Sequence, residues 1–432
     1  MISRRNIFKL FTMLPLHMIL EKLNHVNNTF LNHSSPGINK NTQATIFYSA
    51  NEVVSKCTSE IIEKIGGINA LIDKEDIVIF KPNSQWWNQG MTNTDVMQEI
   101  ISQILNIKGF SGEIIIADNH QSREDNARGW TTAERNGKFN LNELVQFFND
   151  HGHSNVTKYH WHPAGPNPNP LQMDGYGNSV IKHPGEGDGY IWPEDEYYEC
   201  PHGNKCILAY PVFTSKYSGI TIDLKNGAFF NGNYTKQLIK FINMAALNHH
   251  SRYVGVTASV KNFMGVVDMS CGYPAPLPAD TYNTHHIGAS TIFKIMSRYL
   301  KELKDLPYFY DIYLHPSVFR FRYTGGVLGA FMKKIRRADI NIITAINVGW
   351  GSRTDTTKCY RASSVLASTD PVALDYWAAD KVLLPATIKS GGPETFIRLN
   401  DPKDKKGVLW MFLEECQKEL GGCLDPTMMN IV

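Results

Sequence analysis

Apolar side chains recur every three to four residues between positions 51 and 72, the spacing of a helix that buries one face. Residues 76–80, Asp-Ile-Val-Ile-Phe, then run apolar without alternation, as a strand buried on both faces does. Lys81-Pro82-Asn83 ends that run, because proline has no N–H to give to a ladder. Thr94 stands where it would cap a helix reaching residue 107, and a second apolar run over 112–117 ends at Asp118-Asn119-His120. Strand, helix and strand make a β-α-β unit, which implies parallel pairing. The same patterning predicts helices over 141–150, 235–250, 289–303, 371–384 and 408–420, and strands over 205–213 and 340–346. Residues 162–204 are crowded with Pro, Gly, Asp and Tyr and predict a long insertion or lid. The fold class expected is α/β: a mostly parallel sheet flanked by helices, as one domain over 41–432 behind a signal and spacer over 1–40.

Parallel strands gather their carboxyl ends on one edge, where open α/β sheets bind ligands. Lys81, Asn83, Asp118 and His120 fall at those ends. Asp118 and His120 are therefore the candidate catalytic pair, suited to general acid/base work or to a metal, with turn formation by Asp118-Asn119 as the competing explanation.

One pattern occurs twice. Gly219-Ile-Thr-Ile-Asp-Leu-Lys225-Asn226 and Gly255-Val-Thr-Ala-Ser-Val-Lys261-Asn262 share Gly, a β-branched residue, Thr, Lys and Asn in one register. Glycine permits close backbone approach, and a Lys-Asn step offers a point charge beside amide donors. Lys225, Asn226, Lys261 and Asn262 thus join Lys81 and Asn83 as candidate ligands for a carboxylate or phosphate.

The formal charge of +2 is not spread evenly: Arg4, Arg5, Lys9 and Lys22 against Glu21 leave +3 in the first 31 residues and −1 in the rest. A nearly neutral body without a basic stripe does not point to nucleic acid. Ser3-Arg4-Arg5-Asn6-Ile7-Phe8-Lys9, followed by a short apolar stretch over 10–20, resembles a twin-arginine export signal. That stretch covers about half a bilayer-spanning helix, so the expectation is export to the periplasm through the twin-arginine machinery without a permanent membrane span. Seven scattered cysteines lack the two-residue spacing of zinc ribbons and ferredoxins, so no intrinsic iron-sulfur cluster is expected. Cys200 and Cys206 flank a turn-rich loop where a disulfide would fit an exported protein.

Lys81-Pro82-Asn83, then Gly255-Val-Thr through Lys261-Asn262-Phe-Met-Gly265, then Thr369-Asp370-Pro371-Val372-Ala373-Leu374-Asp375, occur in this order. In these motifs the chain resembles the domain of unknown function 362 family, over roughly residues 75–385. The resemblance implies a shared fold and the positions just named as candidate site residues; the family lends no settled reaction. It departs from relatives that carry a ferredoxin-type module. Locally, Asp370 is placed to cap a helix whose first residue is Pro371.

His151, His153, His160 and His162 fall within twelve positions, and on a strand His160 and His162 would share a face as two metal ligands would. His285-His286, Cys271 and Cys359 are further candidates for metal or thiol chemistry. No nucleophile elbow, phosphate-binding Walker loop or dinucleotide fingerprint stands between a strand and a helix. The function expected is an exported enzyme, metal- or cofactor-dependent with redox chemistry favoured, acting on a small anionic substrate. A divalent metal is the cofactor class considered. The alternative is a periplasmic protein that binds or delivers a metal or an anion without catalysis.

Overall fold

A computed structural model describes residues 43–119, 128–161, 180–201, 203–251, 254–267, 284, 287 and 316–432. The expected export signal, the helix expected over 289–303, His120, His162, Cys271 and His285-His286 lie outside the described residues.

The first part of the chain alternates as its pattern predicts. Strand β1 (Ala44–Ala50) leads to helix α1 (Val54–Ile65), β2 (Ile77–Lys81) to α2 (Thr94–Leu105), and β3 (Glu113–Asp118) to α3 (Leu141–Asp150) and β4 (Val156–His160). Asn93, not Thr94, caps α2, its side chain accepting from the amides of Asp95 and Val96. Asn140 caps α3 in a reciprocal box with Glu143.

A second, six-stranded sheet follows, in the order β12-β11-β10-β9-β6-β5. Its strands are β5 (Val180–Ile181), β6 (Gly189–Ile191), β9 (Tyr210–Thr214), β10 (Thr221–Asp223), β11 (Gly227–Phe230) and β12 (Asn233–Tyr234), with β7 (Tyr197–Glu199) and β8 (Lys205–Ile207) as a separate hairpin. The described part of the Pro/Gly-rich stretch, from residue 180, thus begins a small β-sheet that continues to Tyr234. The chain then returns to the main sheet as β13 (Ile239–Ser251) and β14 (Gly255–Thr257), followed by the short helix α4 (Ser259–Asn262). Helix α5 (Pro316–Lys334), β15 (Ile340–Gly349), β16 (Cys359–Ser368), α6 (Pro371–Ala378), α7 (Leu384–Lys389), α8 (Glu394–Asn400), α9 (Val408–Leu420) and β17 (Met429–Ile431) complete the fold.

The main sheet runs β17-β1-β16-β15-β13-β2-β3-β4, with β14 paired to β13. From β15 through β4 every neighbour is parallel, whereas β16 runs antiparallel to both β15 and β1, and β14 antiparallel to β13. The sheet is therefore mixed. The 235–250 segment is a central strand where its apolar content predicts a helix. Phe241, Ile242 and Met244 through Leu247 are all buried, because a strand between two parallel neighbours is covered on both faces and loses its two-residue alternation.

Helices α1, α2 and α3 cover one face over a core that includes Ile61, Val96, Ile100, Leu144, Phe80 and Ile116. Helices α5 and α9 pack closely because Gly325 lacks a side chain: a methyl there would lie 2.0 Å from the Phe412 carbonyl oxygen. Cys200 and Cys206 are not joined, so the expected disulfide is not formed; each is buried. Among the described residues, no helix is long and apolar enough to cross a membrane.

Candidate functional site

Strands β2 and β3 are parallel neighbours in register, so Lys81 and Asp118 emerge together at their carboxyl ends. Lys81 Nζ lies 2.9 Å from Asp118 Oδ1, with both side chains almost fully buried. The ammonium also donates to Pro82 O at 2.7 Å and Asn262 Oδ1 at 2.9 Å, which uses all three of its donors. Asp118 Oδ2 accepts from the Ser84 hydroxyl at 2.6 Å and the Ser84 amide at 3.0 Å, and Oδ1 accepts from the Asn119 amide at 2.9 Å. Burial pushes Lys81 down and Asp118 up from their usual values, and each partner's charge pulls the other back. Gly265 closes over the pair; a methyl at its α-carbon would fall 2.1 Å from Asp118 Oδ1 and 2.4 Å from Lys81 Nζ.

From Lys81 a chain of amides crosses the sheet. Asn262 Nδ2 donates to Asn243 Oδ1 at 2.8 Å, Asn243 Nδ2 to Asn341 Oδ1 at 2.9 Å, and Asn341 Nδ2 to Ser368 O at 3.2 Å. These residues sit side by side because Lys81, Asn243, Asn341 and Ser368 occupy one row of the register across β2, β13, β15 and β16. Each is buried and satisfied, so the row fixes the position of α4 over the strand ends.

Helix α4 is held from its other side by Asp375, on α6. Asp375 Oδ1 accepts from the Ser259 amide at 2.8 Å and hydroxyl at 2.5 Å, and Oδ2 from the Val260 amide at 2.9 Å. Burial raises the Asp375 carboxyl to about 7 against the opposing pull of those donors. Asp370, five residues earlier, caps α6 as its sequence predicts, accepting from Val372 and Ala373, and its second oxygen takes the Cys423 amide.

Lys261 projects from α4 into the wall of a pocket lined by Lys81, Asn83, Gln85, Trp86, Asp118, Asn119, His250, Thr257, Asn262, Met264 and Gly265. The enclosed volume is about 30 Å³, enough for about two water molecules, and it opens toward solvent. Lys261 is only 9% exposed, yet its ammonium donates to the Met264 thioether at 3.2 Å, a weak acceptor. Among the described residues no carboxylate meets it. Burial first, then Arg353 and Lys81, lowers the Lys261 pKa to about 7.

Two arginines lie over Trp86, one of the lining residues. Arg353 lies 4.4 Å and Arg128 4.9 Å from the Trp86 ring centroid, and Arg353 also donates to the His250 carbonyl at 2.8 Å. Gly90 allows this approach: a methyl there would meet the Arg353 carbonyl oxygen at 2.6 Å. On the other side, Tyr190 of β6 donates to Asn119 Oδ1 at 2.8 Å and so ties the second sheet to the pocket.

Of the residues picked out from sequence, Lys81, Asn83, Asp118, Lys261 and Asn262 converge on this pocket. Lys225 and Asn226 do not. They form the β10–β11 turn in the second sheet, where Lys225 pairs with Glu196 at 2.8 Å and Asn226 with Asp223 at 3.0 Å. His160 is fully buried with its ring 4.4 Å from that of Trp130. Cys359 donates to Thr356 O, and burial raises its thiol. Among the described residues, no group of three or more His, Cys, Asp or Glu side chains is placed to hold a metal. Sequence reasoning missed Asn243, Asn341, Trp86, Arg353 and the role of Asp375. An Asn set among apolar residues in each of two strands was the available signal for the first two.

Residues 232–380 match the family model described as Domain of unknown function (DUF362). The DUF362 match contains β13, α4, β15, β16 and α6, hence Asn243, Lys261, Asn262, Asn341, Arg353 and Asp375, while Lys81, Trp86 and Asp118 are supplied from outside it. No curated protein and no solved structure matches the chain.

Proposed function

We propose that this protein is an enzyme, exported in its folded state, that acts on a small anionic substrate held in the Lys81–Lys261 pocket. The observation that carries the reading is Lys261: a buried ammonium in a cavity wall, beside Arg353 and Lys81 and met by no carboxylate among the described residues. An isolated buried cation is costly, and an anion entering the pocket would relieve that cost. Lys81 and Asp118 have a different part. Their donors and acceptors are spent on one another and on the backbone, so they set the shape and the positive field of the site. Arg353 and Arg128, stacked on Trp86, offer planar donors suited to a carboxylate or phosphate. Lys261, poised near neutrality, can give a proton to the bound substrate or take one from it. Activity that also needs a metal or redox cofactor is compatible with this reading, which rests on the lysine.

Calorimetric titration of phosphate and of pyruvate into the full chain tests it. Binding is expected to strengthen as pH falls through about 7, as Lys261 becomes charged. Lys261→Ala should weaken it about tenfold to a hundredfold, the cost of one charged hydrogen bond, with an unchanged circular dichroism spectrum. Equal binding by the variant would refute the assignment.

A further inference from the structure

Lys81 and Lys261 line the same pocket and differ in one respect that bears on chemistry. Lys81 Nζ gives all three protons to oxygens, so its nitrogen is locked as an ammonium. Lys261 Nζ has a thioether as its hydrogen-bond partner among the described residues and faces the cavity. Two cations, Arg353 and Lys81, stand near enough to disfavour its charge. A desolvated amine beside another cation is the arrangement that activates lysine toward carbonyl carbon.

Resting on the anion-site reading above, we infer that Lys261 forms a Schiff base with a small oxo acid whose carboxylate lies against Arg353. The amine lone pair attacks the carbonyl carbon and forms a C–N bond as the C=O π pair moves onto oxygen. The proton released by nitrogen transfers to that oxygen, giving a neutral carbinolamine. A proton from solvent at the pocket mouth then lets the hydroxyl leave as water, and the nitrogen lone pair completes a protonated imine. No electron acceptor or donor is needed, and one water is released. Trp86 and Lys261 both line the pocket and Arg353 lies over the Trp86 ring, which brings a guanidinium and the amine to one site.

Borohydride trapping tests the step. The full chain is incubated at pH 7 with pyruvate or 2-oxoglutarate, reduced, digested and mapped by mass. The expected result is one adduct on the peptide carrying Lys261, heavier by the oxo acid less one oxygen atom. Lys261→Arg, which keeps the charge but has no nucleophilic amine, should bind the acid and give no adduct. If wild type binds the oxo acids and Lys261→Ala does not, yet reduction leaves Lys261 unmodified, the imine is overturned and the anion site stands. Should neither oxo acid nor phosphate bind, both readings fall together.

Discussion

The two segments that echo each other in sequence have opposite fates in the fold. Gly219 and Gly255 share a left-handed backbone, with φ of 71° and 76°; Gly219 lies just before β10 and Gly255 begins β14. They part at the fifth position, where the first has Asp223 and the second Ser259. Asp223 accepts from the amides of Lys225 and Asn226 and turns the chain sharply into β11. Ser259 brings no carboxylate; Asp375 of α6 supplies one from 116 residues away, and the backbone coils into α4. One segment closes on its own side chain and leaves its lysine in a partly exposed ion pair. The other depends on a distant helix and delivers its lysine into a pocket. A sequence echo is thus evidence of a shared local start, while the source of the carboxylate decides what the Lys-Asn step becomes.

The largest expected effect breaks the pocket's frame. Lys81→Met leaves Asp118 buried without its counter-charge and should cost about 3–5 kcal/mol in urea unfolding. The matching change in the first echo, Lys225→Met, should cost under about 1 kcal/mol, since that ion pair is a quarter exposed. Equal losses would contradict the contrast between the two.

Ser259→Asp, which makes the second echo more like the first, sets a new carboxylate against Asp375 and should destabilise by about 3 kcal/mol. The loss should shrink as pH falls below about 7, where Asp375 takes up a proton.

Lys261→Met should raise stability instead. The Lys261 pKa is depressed in the folded state, so the unfolded chain binds more protons between about 7 and 10.5 and wild-type stability rises with pH across that window. The gain from methionine is therefore largest below pH 7 and fades toward pH 10.5. Melting curves of the two proteins over this range would show it.

Gly265→Ala is expected to cost about 1–3 kcal/mol as the added methyl pushes into the Lys81–Asp118 pair.

Much of the frame was legible because local signals agreed. The strands ending at Lys81 and Asp118 are short apolar runs bounded by polar residues, and α3 and α6 carry their own caps. β13 was not legible, since burial on both faces removes the alternation that marks a strand. In the site, strand ends and the echo pointed to Lys81, Asp118, Lys261 and Asn262. Arg353 lies in a loop whose placement over Trp86 depends on Gly90 and on Gln89 donating to Asp355 O, contacts that span more than 260 residues and leave no periodic trace. The amide row had the same difficulty: Asn243 and Asn341 become neighbours only once β13 and β15 pair.

The most direct measurement follows the Lys261 amine itself, by NMR on protein carrying ¹³C at the lysine ε-carbons, with Lys261→Met to assign the signal. The account predicts a titration midpoint near 7 that moves upward when phosphate is added. A midpoint near the ordinary 10.5, unmoved by phosphate, would contradict it.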